Sequence, residues 1–145
     1  MENTQTSTKA SKMKLDFKDS KYGTGRRKTS IAKVWLKKGS GKIYVNGKLF
    51  SDYFSSEFHH LQITRPFEII NQATDYDVRC SVKGGGPTGQ AGAMVHGISK
   101  ALVLFDENLK TTLKTEKLTT RDSRAVERKK PGRRKARRSF QFSKR

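Results

Sequence analysis

Between Ser30 and Leu36 apolar and polar residues alternate, and Ala32, Val34 and Leu36 fall on one face of an extended segment. Gly39-Ser40-Gly41 interrupts the pattern and Lys42 to Val45 resumes it, so the pair predicts a hairpin closed by a short glycine-containing loop. Asn46-Gly47 is a further turn signal. The cleanest alternation runs from Asp77 to Lys83, with Val78, Cys80 and Val82 on one side and Asp77, Arg79, Ser81 and Lys83 on the other. After the glycine-rich run Gly84 to Gly92 the period becomes helical. Ala91, Val95, Ile98, Leu102 and Phe105 share one side, with Met94 and Ala101 beside them, which predicts a core-facing helix to about Phe105. Asp106-Glu107 opens another short helix with Leu109 and Leu113 facing inward. From Leu49 to Gln72 the period is unclear. Thr64-Arg65-Pro66-Phe67-Glu68 has the chemistry of a helix start, with Pro in the first turn and an acid near the positive end of the dipole, and predicts a short helix to about Gln72. Order is expected to begin near Tyr22, and strands mixed with helices make the fold class α+β.

Charge changes this picture most. The 145 residues carry 32 Lys and Arg against 13 Asp and Glu, a formal +19, and only 32% of them are hydrophobic. Such an excess repels itself and favours a polyanionic partner. No apolar run approaches the roughly 18 residues that read as a membrane span, and no basic stretch alternates with a wide apolar helical face. Nucleic acid is therefore the expected partner, and no membrane. Residues 124 to 145 hold eleven Lys and Arg against Glu127 alone, a net +10 that leaves +9 for the other 123 residues. Their only large apolar side chains are Val126, Phe140 and Phe142. Ordering each residue costs roughly 1–2 kcal/mol of backbone entropy, which three apolar groups cannot offset. The expected organisation is an N-terminal extension (1–21), a globular RNA-binding domain (22–123) and a basic tail (124–145) that takes shape on its partner.

The candidate chemistry is that of binding. Cys80, the single cysteine, lies on an apolar strand face and reads as a small buried hydrophobe. A lone cysteine suits a reducing compartment, and the N-terminus lacks the apolar stretch of a secretory signal. His59, His60 and His96 have no Cys, Asp or Glu at zinc-ligand spacing, and no acid/base pair or nucleophile is apparent, so neither metal, cofactor nor enzymatic activity is expected. Gly84-x-Gly86-x-x-Gly89 formally matches a dinucleotide fingerprint between strand and helix, but the second parallel strand that fingerprint requires is missing from the pattern. A glycine turn at a helix N-terminus can instead offer N–H groups to an RNA phosphate, or simply let helix and sheet pack closely. Gly23-Thr-Gly-Arg-Arg-Lys-Thr-Ser30 is a second basic cluster beside the first strand. Its two glycines and three hydroxyls favour phosphate contact over a merely solvated edge. In the tail, Phe140 and Phe142 among cations suit stacking on sugars or bases. Two other readings remain: a free-standing nucleic-acid binder, such as a chaperone or chromatin-like protein, and a nucleotide-dependent enzyme.

Tyr22–Ser30, Val82–Gly92, Thr120–Lys130 and Lys135–Arg145 together resemble the small-subunit ribosomal protein nine family in its bacterial form. The resemblance covers Tyr22 to Arg145; Met1 to about Ser20 departs from it as a longer extension. It implies a small two-layer α/β sandwich, a mixed sheet with helices on one face and a left-handed βαβ crossover, with a long extended basic C-terminal tail. It further implies a structural constituent of the small ribosomal subunit's head, in the cytoplasm or alternatively in an organellar ribosome, among neighbouring head proteins and bound to 16S-type ribosomal RNA. Carried onto this chain, the rRNA-binding residues are Arg26, Arg27, Lys28, Lys83, Gly84, Gly85, Gly86, Arg121, Arg124, Arg128, Lys129, Lys130, Arg133, Arg134, Lys135, Arg137 and Arg138. Ser143, Lys144 and Arg145 would contact peptidyl-site tRNA.

Overall fold

The computed structural model describes residues 17–72 and 74–144. Most of the expected N-terminal extension, residues 1–16, and the terminal Arg145 lie outside the described residues. Five strands form one sheet: β1 (Lys21–Arg27), β2 (Ser30–Lys38), β3 (Ile43–Val45), β4 (Lys48–Leu49) and β5 (Tyr76–Lys83). Among the described residues four helices accompany it: α1 (Phe50–Tyr53), α2 (Glu57–Ile69), α3 (Pro87–Phe105) and α4 (Leu109–Thr115). The strand order is β1-β2-β5-β3-β4. All neighbours are antiparallel except β3 and β5, which run parallel. That parallel pair, joined through α1 and α2, is the βαβ unit of the fold. The result is a mixed sheet with its helical layer on one face, the expected α+β class.

One face of the sheet makes the core. Ala32, Val34 and Leu36 of β2 lie opposite Val82, Cys80 and Val78 of β5, and all six are buried against α3 and α2. Cys80 is 2% exposed, and burial pushes its thiol up to about 12, as expected of a packed hydrophobe. In α3 the expected stripe is buried at Ala91, Val95, Ile98 and Leu102, while Phe105 is half-buried. Leu113 of α4 joins them, and the last buried residue among those described is Leu118.

The predicted 30–45 hairpin does not form. β2 pairs with β1 and β5, and β3 sits on the far side of β5. β5 matches β2 over eight residues, whereas β3 has three, so the longer alternating strand takes the ladder and buries the larger face. The Asn46-Gly47 signal is the true hairpin: it closes β3 onto β4 with two residues, at φ +49° and +83°, the left-handed pair that such a turn demands. The expected helix at 64–72 starts seven residues earlier, at Glu57. Pro66 is not in its first turn but inside it, buried between Ile63 and Phe67, where core packing outweighs the forfeited backbone hydrogen bond. Exposed Phe58 and Leu61 blurred the period there. The basic cluster at 23–30 is not merely beside a strand; it is the edge strand β1 and its turn into β2.

The loop that carries the chain from β2 to β3 is held by one carboxylate. Asp77 Oδ1 accepts the backbone N–H groups of Ser40 and Lys42, each at 2.9 Å, and the Ser40 hydroxyl at 3.3 Å. Burial alone pushes the Asp77 carboxyl up, but the Lys42 and Ser40 donors and the Lys42 charge outweigh it and hold it below the usual carboxylate range. A depressed folded-state value stabilises the fold fully above about pH 4, the ordinary aspartate value, and the contribution is lost as pH falls through the lower folded value. Asp77→Ala is therefore expected to destabilise the domain at neutral pH by about 1–3 kcal/mol and to remove one step of acid destabilisation below pH 4. Urea midpoints measured from pH 3 to pH 7 check both, and a variant with the parent's pH profile would contradict them.

Candidate nucleic-acid interface

Three of the sequence-predicted segments meet at one end of the sheet. The β1–β2 turn places Lys28 at its tip with φ +53°, and Arg26 stands exposed on β1. The glycine turn leaving β5 abuts it. Ser30 Oγ donates to the Gly84 carbonyl at 3.0 Å, and a Cβ on Gly85 or Gly89 would overlap that same hydroxyl. Gly84 and Gly85 take φ +74° and +61°, while Gly86, the residue before α3, has an ordinary extended backbone with open space around its Cα. Lys83 is exposed at the end of β5, opposite Ile31. The amides of the first α3 turn, less the one that Pro87 lacks, therefore open toward the same basic corner.

The tail is rooted there too. Arg27 donates to the Arg124 carbonyl at 3.0 Å and pairs with Asp122 at 3.1 Å. Asp122 also takes the Arg124 guanidinium at 2.8 Å and the Arg124 backbone N–H at 3.0 Å. The Arg124 hydrogen bonds, with the Arg27 charge behind them, hold the Asp122 carboxyl well below the usual range. Gly92 leaves room for the Arg27 stem to lie along α3. Beside this root, Thr24, Arg26, His96, Lys100, Thr119 and Arg121 line a recess of about 510 Å³. His96 Nδ1 accepts the Arg26 backbone N–H at 3.2 Å, which occupies an outward donor of the edge strand. Burial, with Lys100 and Arg121 nearby, keeps that imidazole's pKa below its ordinary value. A neutral ring suits the acceptor role.

Beyond the root, the described tail has neither helix nor strand. It does contain a turn: Arg133 N–H donates to the Lys130 carbonyl at 3.3 Å across Pro131-Gly132, with Gly132 at φ +70°, the residue pair of a type II turn. Glu127 pairs with Lys130 and with Arg137. The Arg134 guanidinium lies over the Phe140 ring, 6.0 Å from its centroid. Arg128, Lys129, Arg133, Lys135 and Arg138 are exposed along it, as are Ser143 and Lys144 near the end.

Sequence reading missed Lys100 and Asp122; Asp122 stands out only as an acid amid cations, and Lys100 carries no signal of its own. Ser30, whose hydroxyl was expected at a phosphate, is buried and spends it on the Gly84 carbonyl. His96, expected as a polar surface group, instead caps an edge-strand amide, a role set by which strand and helix lie side by side. The glycines of β1 take a different role from the one expected. A Cβ on Gly23 would overlap the Gly97 carbonyl, and one on Gly25 the Ala93 carbonyl, so their close approach is to α3. Among the described residues no group of three or more His, Cys, Asp or Glu could hold a metal ion, and no helix is long and apolar enough to cross a membrane. The sequence model of the family described as Ribosomal protein S9/S16 matches residues 25–145. The chain belongs to that family, whose members are structural constituents of the small ribosomal subunit and bind its rRNA.

Proposed function

We propose, from membership in the ribosomal S9/S16 family, that this chain docks on small-subunit rRNA through one basic corner and runs its tail from that corner between RNA helices to peptidyl-site tRNA. The observation that carries the reading is the convergence of Arg26–Lys28, Lys83–Gly86 and Arg121–Arg124 at one end of the sheet, tied together by Arg27, Asp122 and Ser30. Segments about sixty and forty residues apart in the chain then present one continuous cationic surface. Residues 22–123 act as the docked domain and 124–145 as the tail, with Arg128, Lys129, Lys130, Arg133, Arg134, Lys135, Arg137 and Arg138 along rRNA phosphates. Such contacts position the protein without reading sequence. Charge of this density, spread over a strip with no core, neutralises crowded phosphates where a globular surface could not fit. A structural, non-enzymatic role follows from the family.

The tail tip, Ser143, Lys144 and Arg145, offers a cation to the tRNA backbone in this reading. Deleting those three residues is expected to leave subunit assembly intact and to raise tRNA dissociation from the peptidyl site several-fold, irrespective of tRNA identity. Filter binding of two unrelated tRNAs to programmed small subunits checks it. Unchanged dissociation of both, with normal assembly, would remove the tip from tRNA binding and leave the rRNA assignment standing.

A further inference from the structure

The face of the sheet turned away from the helices carries a row of side chains that rRNA binding by the corner and tail does not use. Strand register sets Tyr22 opposite Trp35, Trp35 opposite Arg79, Arg79 opposite Tyr44 and Tyr44 opposite Leu49, one residue from each of the five strands. The Tyr22 and Trp35 rings lie 5.4 Å apart, and the Arg79 guanidinium sits over the Trp35 ring at 5.7 Å from its centroid. At about 4.8 Å per strand, the run from Tyr22 to Tyr44 spans roughly 14 Å. Tyr22 is 43% exposed and Leu49 42%. Among the described residues no helix packs over this row; it is open at Tyr22, Arg79 and Leu49, while Trp35 and Tyr44 are half-buried between their neighbours.

Its surroundings are cationic. The next residue on the same face of β2 is Lys33, which faces Thr24 and Ser81, and beyond it Arg26, Ile31 and Lys83 form a further row. The acid on this face, Asp77, is already occupied by the Ser40 and Lys42 amides. Aromatic residues and arginine also favour protein interfaces, but the cationic rows that continue this face suit the phosphates of a strand whose unstacked bases lie on the rings and the arginine plane. We infer that this open sheet face is a second rRNA-binding surface, on which unpaired bases of the small-subunit rRNA stack against Trp35, Tyr22 and Arg79. The inference rests on the rRNA-binding reading above and adds a binding mode to it: base stacking, next to phosphate contact.

The chain's only tryptophan is Trp35, which supplies the readout. Titrating the full chain with small-subunit rRNA should quench its fluorescence about two-fold or more, saturating where filter binding saturates. Trp35→Ala should weaken binding by about ten-fold, the order expected for one stacked base, with the salt slope unchanged because no phosphate contact is lost. Trp35→Phe should recover most of that loss, and urea midpoints should show both variants folded. Tight rRNA binding with unaltered Trp35 emission, and with Trp35→Ala binding like the parent, would overturn the inference while leaving the rRNA-binding reading intact. A change in emission that appears only when neighbouring head proteins are added would assign the face to a protein and equally overturn it. Failure of the chain to bind rRNA at all would instead strike the underlying reading.

Discussion

Removal of residues 124–145 is expected to flatten the salt dependence of rRNA binding by about five units in log–log slope. Each phosphate neutralised contributes roughly 0.7–0.9, and the segment carries eleven cations. Three of them, Arg124, Lys130 and Arg137, already pair with Asp122 or Glu127 and contribute less, because gaining a phosphate means giving up a carboxylate. Lys144 and Arg145 belong to the tRNA-facing tip, so the other six set the ceiling. The domain left behind keeps Arg26, Lys28, Lys83 and Arg121 in the corner, so weak binding with a slope of about two or three should persist. Binding isotherms for the two chains across 50 to 300 mM monovalent salt are enough to decide. If the slopes coincide, the tail plays no part in rRNA affinity.

The second large effect falls on the fold. Gly25→Ala should destabilise the domain by at least about 3 kcal/mol, a substantial part of the 5–15 kcal/mol that typical domains possess. The added Cβ would overlap the Ala93 carbonyl and crowd the Gly97 amide, both backbone groups of a long buried helix that cannot rotate aside. β1 and α3 would have to separate, and α3 is buried along most of its length. Gly86→Ala is the control. Gly86 has φ −116° and nothing within contact distance of a new Cβ, so stability should stay within about 0.5 kcal/mol of the parent. Urea midpoints at equal denaturant slope separate the two variants. A Gly25→Ala chain as stable as Gly86→Ala would mean that β1 does not lie against α3 as described.

These two cases show where the sequence could be read and where it could not. Strand β5 and helix α3 were legible because one face of each is apolar at the right period, and the tail because charge needs no fold to be recognised. The Gly23 and Gly25 pair was misread, since a glycine before a basic run fits phosphate approach as well as helix approach. The helix supplies the missing half of the signal: Gly89, Ala93, Gly97 and Ala101 recur every four residues, a small-residue face that matches the two glycines of β1. Neither half means much without the other. The hairpin error has the same origin. Period locates strands but not partners, and partner choice here turned on β5, thirty residues further along, offering a longer face than β3. In the interface, the cations were legible one by one, and their convergence was not. It depends on Asp122 reaching back to Arg27, a contact across 95 residues that no local pattern encodes.

In the assembled subunit the tail should lie against RNA, and a cleaving probe placed on the tail reports whether it does. Cys80, buried and with its thiol pushed up to about 12, should resist labelling in the folded chain. Gln141→Cys therefore gives a single reactive attachment point for an iron chelate on the exposed tail. In small subunits reconstituted with the labelled chain, hydroxyl radicals from the chelate should cut the small-subunit rRNA at a few discrete places, and the parent chain treated alike should give none of them. A cutting pattern no different from that of the untethered reagent would contradict the account.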